Sequence, residues 1–529
     1  MSDGIRTAVD QITAQIRELS IDINLTGWQA ATTGTPEALD AAAQSRAAWM
    51  RFWAAPEPYR QYKNWDESGA AGDDAHLKRI VHLLHLGFAE GQRDLATIDE
   101  MTELAKVLDD AYTNFRPVVD GQRLNANAID DILRLEDDSE KRRAAWEASK
   151  EIGPRVADQI RRLAVLRNDA ARRMGYDNFH RMSLILNELD PDWLYAMLDT
   201  LAAKIDEPFR RAKADLDAEL SARFRVPVEE LMPWHYADPF FQRAPMLSSY
   251  NFDSLFGGRD LVELATRTYD GLGMEVRDIL GRSDLYEREG KDQHAFCMHV
   301  DREGDVRTLC NLKPTLRWAE TLLHELGHGV YDKYLPMDLP WMLRSFPHIL
   351  RTEAMAMLMG AITLDPEWHA QVLRAPRDEA RRAGEAGFQR FRLEELIFAR
   401  WVMVVVNFER LMYEDPSRDL NGAWWDLVQK YQLVIKPEGR EKQPDWATKY
   451  HIALAPAYYQ NYLLGRMMSL QWDGWLRQHA GGIVGRPAAG EFFRKRVFEL
   501  GSTLHWNDAL EFATGEKLNP DYFVQKFAQ

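Results

Sequence analysis

Two histidines four residues apart, with a glutamate after the first, stand in the run Glu320-Thr-Leu-Leu-His324-Glu325-Leu-Gly-His328-Gly-Val-Tyr331. On an α-helix such a pair is offset by about 40° around the axis and ~6 Å along it, so both imidazoles can reach one metal ion. Glu325 sits one step round from His324, where its carboxylate can face a water beside the metal without ligating the ion. Zinc makes such a water acidic, and a carboxylate can then take its proton during attack on a peptide carbonyl. With only 14 histidines in 529 residues, chance places this pattern in roughly two or three of every hundred such chains.

A catalytic zinc needs a third protein ligand and an open position. The arrangement with a third histidine six residues after the second is excluded, because that position is Tyr334, and Tyr331 stands where a glycine would be needed. Glu353 is the better candidate. It lies in the apolar run Arg351-Thr-Glu-Ala-Met-Ala-Met-Leu-Met-Gly360, where a buried charge requires a partner. Its 25-position separation from His328 leaves room for a loop and a returning helix. His348 and Asp332 are weaker candidates; Asp332 could instead orient His328 or solvate the helix. Two histidines and one glutamate suit zinc best among the divalent ions.

The elements that must position these groups are mostly helical. Ser139 to Asn178 carries apolar residues at three-and-four spacing. Asp190-Pro191-Asp192 marks a helix start, with a capping side chain before a proline at a first helical position. Long helical patterns also cover Asp260 to Leu272, Asp378 to Tyr413 and Pro456 to Trp475. Breaks fall at Ala54 to Pro58, Gly69 to Asp74, Lys436 to Asp445 and Gly481 to Gly490, short enough to be loops between helices. The clearest strand signal is a hairpin between His294 and Leu312, with a turn at Glu303-Gly304. Centred there, it sets Cys297 directly opposite Cys310, so a cross-strand disulfide is geometrically possible; two reduced neighbours are the alternative.

Composition limits the function classes. The chain has 66 Lys plus Arg against 82 Asp plus Glu, a net charge of −16, which argues against a surface built for nucleic acid or anionic membranes. The longest apolar candidate, around Trp401 to Val406, is far too short to span a bilayer. Two cysteines exclude a disulfide scaffold or a Cys-only zinc cluster. Met1-Ser-Asp-Gly-Ile-Arg lacks the basic start and apolar run of a signal peptide, which favours a soluble, cytoplasmic protein over a secreted one.

The pattern His324-Glu325-Leu-Gly-His328, followed at that interval by Glu353-Ala354, resembles the angiotensin-converting-enzyme family of zinc peptidyl-dipeptidases and, more distantly, the thimet oligopeptidase family. A second block, Lys449-Tyr450-His451-Ile452 and then Pro456-Ala-Tyr458-Tyr459-Gln-Asn-Tyr462, is similar to that family's substrate-binding segment. Weaker similarity extends to Cys297-Met-His299, Ala144 to Lys150 and Arg172 to Tyr176.

The resemblance implies His324, His328 and Glu353 as zinc ligands and Glu325 as general base and then acid. It implies Lys449 on the substrate's terminal carboxylate, His451 with Tyr459 or Tyr462 on the scissile carbonyl oxygen, and His299 and Tyr458 as further substrate contacts. The fold expected is mainly α, a single peptidase domain over residues 1–529, with two helical subdomains around a deep cleft and a small antiparallel hairpin near the zinc helix. The activity expected is release of C-terminal dipeptides from short peptides. Internal cleavage, or peptide binding without catalysis, are the alternatives.

Three departures stand out. Met357 replaces an acidic residue that supports the family's metal shell. Gln460-Asn461 replaces an arginine linked to chloride activation, so little chloride dependence is expected. The glutamine that helps the family's lysine hold the terminal carboxylate has no recognisable counterpart.

Overall fold

The computed structural model describes residues 2–92, 95–245 and 250–528. It is 70% helix, with two antiparallel ladders: β1 (Val118–Val119) with β2 (Gln122–Arg123), and β3 (Phe296–His299) with β4 (Val306–Leu309). The mostly helical reading holds. Among the described residues no helix is long and apolar enough to cross a membrane.

Several helix boundaries fall where the sequence puts them. The helix Pro191–Lys204 starts on Asp190, whose carboxylate accepts the Asp192 and Trp193 N–H groups. The stretch from Ser139 to Asn178 is not one helix but two, Ser139–Lys150 and Gly153–Arg173. Pro154 has no N–H to continue a helix and its ring suits a helical first turn, so it restarts the chain rather than extending it. Gly153 is required at the joint, because a Cβ there would lie 2.6 Å from the Pro444 carbonyl.

The hairpin register also differs from the sequence expectation. Cys297 pairs with Thr308 and Phe296 with Leu309, so Cys310 lies past the end of β4, and both cysteines are free. The Asp301 carboxylate accepts the N–H groups of Glu303 and Asp305, and this side-chain turn pulls the apex back by one residue. Arg302 and Gly304 take the positive φ angles, 58° and 108°, that the turn needs.

Five helices build the site: α1 (Leu316–Lys333), α2 (Ile349–Ala361), α3 (Arg377–Glu414), the short α4 (Tyr450–Leu454) and α5 (Gln460–His479). α2 lies between α1 and α5, and glycines set both contacts. A Cβ on Gly327 of α1 would meet the Ala356 Cα at 2.7 Å, and one on Gly465 of α5 would meet the Leu350 carbonyl at 3.2 Å and the Glu353 Cβ at 3.3 Å. These approaches are closer than larger residues permit.

α5 begins four residues later than the Pro456 start read from the sequence. Ala457 turns into the left-handed region at φ 57°, and the buried Glu409 of α3 accepts its N–H at 3.2 Å. The main core runs through all five helices, with Trp401 to Val406 fully buried at its centre. A second apolar cluster joins the helices Ser2–Thr33, Pro56–Glu67 and Ala75–Gly91 to the turn Trp341–Leu343.

Candidate active site

Thr315 caps α1 by accepting the Trp318 N–H, and from that start the 3.6-residue period turns His324 and His328 toward α2. Their rings lie 5.0 Å apart, nearly perpendicular. Glu353 answers from the second turn of α2, its Oε2 3.9 Å from His324 Nε2. One donor atom from each of the three lies within 4.8 Å of the others. The sequence-derived trio is thus brought together. His348 instead caps α2 with its ring nitrogen at 3.1 Å from the Leu350 N–H, and Asp332 lies near His299 and Arg302.

Two nitrogens and a carboxylate oxygen are a zinc-type donor set, and the electrostatics fit a cation. Burial, then His328 and Arg466, hold His324 down to about 3, and burial holds His328 to about 4. Both rings are therefore neutral, the form that ligates. Burial pushes Glu353 up to about 7; burial and then the Glu353 charge push Glu325 up to about 8. Among the described residues no lysine or arginine pairs with either carboxylate, so a bound cation would supply their direct counter-charge.

The sequence reading missed Thr352. Its hydroxyl lies 2.7 Å from His328 Nδ1, leaving Nε2 for the metal and fixing the ring's orientation. Met357, in the departing position, offers only its backbone carbonyl to Arg466 at 3.2 Å. Thr352→Val keeps the side chain's shape and removes the bond, so zinc affinity should fall roughly 10- to 100-fold. Competition for the metal against a graded chelator measures this, and unchanged retention would remove Thr352 from the site.

The second block converges from α4 and α5. Lys449 is 8% exposed, and its Nζ has no carboxylate pair among the described residues. It donates to Gln242 Oε1 at 3.0 Å and lies 5.1 to 5.4 Å from the ring centres of Phe240, Trp401 and Tyr459. The Tyr459 hydroxyl approaches the same Gln242 oxygen at 3.5 Å. Gln242 is the second residue the sequence reading missed, a glutamine beside the lysine that no motif announces.

The His451 ring packs 4.9 Å from Tyr459 and its buried Nδ1 has no partner among the described residues. Burial and then Lys449 keep this ring neutral, down to about 4. Tyr462 lies 5.3 Å from Tyr458 and 5.6 Å from Tyr459, ring to ring, and burial and then the Glu353 charge raise both Tyr458 and Tyr462. His299 is not brought to this group. Its Nε2 accepts the Gly304 N–H of its own turn at 3.3 Å, and its Nδ1 lies 3.8 Å from Asp332, one turn beyond His328.

A helical body with a His-Glu-x-x-His helix and a glutamate from the next helix has the build of a metallopeptidase. Comparison with known families agrees in two separate stretches: residues 2–226 match the family model described as angiotensin-converting enzyme, and residues 276–529, which carry the candidate metal ligands, match that of peptidase family M3. The chain is therefore similar to the M2 and M3 metallopeptidases, each over less than half its length. No curated protein matches it.

Proposed function

We propose that the chain is a zinc-dependent peptidase that releases dipeptides from the C-terminus of short peptides. The observation that carries this reading is Lys449, a buried ammonium held by a neutral glutamine and aromatic rings, with no carboxylate of the described residues within ion-pair distance and Asp238 acting on it only from further away. Burying a charge without a counter-ion costs several kcal/mol, and a free peptide carboxylate is the counter-ion that would offset it. Gln242 and Tyr459 would complete the cradle.

His324, His328 and Glu353 would hold zinc, which when bound polarises the scissile carbonyl and acidifies the attacking water. Glu325 takes the proton of that water and passes it to the leaving amine. Tyr462, on the Glu353 side of the tyrosine cluster, donates to the carbonyl oxygen as it gains charge. Tyr459 shares Gln242 with Lys449, which supports a place at the terminal carboxylate instead. His451, neutral and unpartnered at Nδ1, can donate to the substrate backbone; Tyr458 walls the same space. A single peptidase domain with a deep cleft between helical halves accords with this reading.

The test is mass spectrometry of products from one peptide in free, N-acetylated and C-amidated forms with the zinc-loaded protein. Dipeptide release from the first two but poorly from the third is expected. Internal cleavage of all three would favour the oligopeptidase reading, to which the M3 match over the metal-binding half points.

The lysine also sets a pH dependence. Burial, opposed by Asp238, lowers Lys449 to about 8. Only the protonated amine attracts a carboxylate, so KM for free peptides should rise as pH climbs through about 8, while amidated peptides show no such rise. Lys449→Ala should remove the difference between the two profiles, and parallel profiles in the unaltered protein would take Lys449 out of the carboxylate site.

A further inference from the structure

Glu320 stands one turn before His324 on the same face of α1. A Cβ on Gly360 of α2 would touch both, the Glu320 Cγ at 3.4 Å and the His324 Cβ at 3.6 Å. The side chain is exposed to solvent, yet so much protein surrounds it that desolvation, followed by the Glu394 charge, pushes its carboxyl up to about 7 against the pull of Arg466 and Arg390. Solvent contact together with crowding by protein describes a group on the wall of a recess.

The cations near it are already engaged. Arg466 pairs with Glu395 at 2.9 Å and Arg390 lies 3.8 Å from Glu394. Among the described residues no hydrogen bond or ion pair reaches the Glu320 carboxylate. When Glu320 is ionised, three carboxylates face two guanidinium groups, and a cationic side chain would restore the balance.

The opposite wall gives the recess a direction. Glu394, Phe398 and Trp401 share one face of α3, spaced four and three residues apart. The Phe398 ring lies 6.4 Å from both Tyr459 and Tyr462, and the Trp401 ring lies 5.4 Å from Lys449 Nζ. This face runs about 10 Å, from Glu394, whose charge acts on Glu320, to the lysine, and an extended dipeptide covers about 7 Å of it. A peptide whose scissile bond meets His324 and whose carboxylate meets Lys449 lies along it, so a long side chain of the departing dipeptide can reach back toward Glu320.

We infer that Glu320 is a specificity residue that favours a lysine or arginine side chain in the departing dipeptide. The inference rests on the dipeptide-release reading for the direction of the peptide, and its test must separate the two. Calorimetric titration of the zinc-loaded Glu325→Gln protein, with and without Glu320→Gln, uses peptides ending in Ala-Lys, Lys-Ala, Ala-Glu and Ala-Ala. A peptide with lysine at one of the two positions should bind at least roughly tenfold more tightly than the Ala-Glu peptide, and Glu320→Gln should shrink that ratio below about threefold.

An equal ratio in the two proteins, no preference for lysine, or no binding of any peptide would overturn the inference. Incubating the same peptides with the unaltered enzyme keeps the two readings apart. Lysine preference without products would sink dipeptide release alone, and products without a Glu320-dependent preference would sink the specificity role alone.

Discussion

Glu325→Gln should lower kcat for peptide hydrolysis by at least about a thousandfold and leave zinc content unchanged. Glutamine has nearly the same shape but cannot accept the proton of the attacking water, and Glu325 lies outside the ligand trio His324, His328 and Glu353. Glu325 as a residue is 7% exposed, so bulk water cannot easily replace it as a base. A cation on the neighbouring trio would draw its raised pKa back down and favour the ionised, proton-accepting form. Metal analysis beside single-turnover kinetics separates the possibilities: unchanged turnover with zinc retained removes Glu325 from the chemistry, whereas loss of zinc makes it a structural part of the metal cluster.

The legible part of this site was the part with a short period. His324 and His328 announce themselves because one helical turn brings them together, and Glu353 because an ionised side chain in an otherwise apolar helix needs a reason. Thr352 sat beside Glu353 in plain view, but a threonine in a helix has many local uses, and only the position of the His328 ring at 2.7 Å singles it out. Gln242 had no local signal at all. It reaches Lys449 across 207 residues, from a stretch that neither family match covers.

The fold was legible to a similar depth. Helical periods gave the elements, and the Gly153-Pro154 break inside one of them is a backbone rule that outweighs a continuous apolar stripe. The hairpin register failed for a different reason, because the Asp301 side chain rather than the Glu303-Gly304 pair governs the turn. A slip of that kind changes which residues face each other, and it separates Cys297 from Cys310 in the ladder.

The largest stability effect is expected away from the metal, at Glu188. This residue follows the helix Phe179–Leu186 at φ 56°, where the Leu189 N–H reaches back to the Leu184 carbonyl, a left-handed helix end that costs a residue with a side chain about 1 kcal/mol. Its carboxylate takes both terminal nitrogens of Arg79, the second at 2.7 Å, and each side chain is only 9% exposed. Its carbonyl accepts the Trp506 indole N–H at 2.9 Å, while Arg79 Nε donates to the Ser502 carbonyl at 2.9 Å. One turn therefore ties the helix Ala75–Gly91 to the C-terminal segment. Glu188→Gln leaves a buried guanidinium without its counter-charge, and unfolding free energy should drop by about 3–5 kcal/mol.

The effect carries a pH signature. Burial raises Glu188, but the bonds from Arg79 and His82 outweigh it and bring the carboxyl from 4.5 to about 2. That contribution is complete above 4.5 and is lost as pH falls through about 2. His82 moves the other way, from 6.5 to about 9, through its bonds to Asp66 and Glu188, so its contribution is complete below 6.5 and is lost as pH rises through about 9. The stability gap between the unaltered protein and Glu188→Gln, read from urea unfolding across pH, should be widest between about 4.5 and 6.5. A gap that does not narrow below 4.5 or above 6.5, or one smaller than about 1 kcal/mol, would reduce the turn to an ordinary surface ion pair.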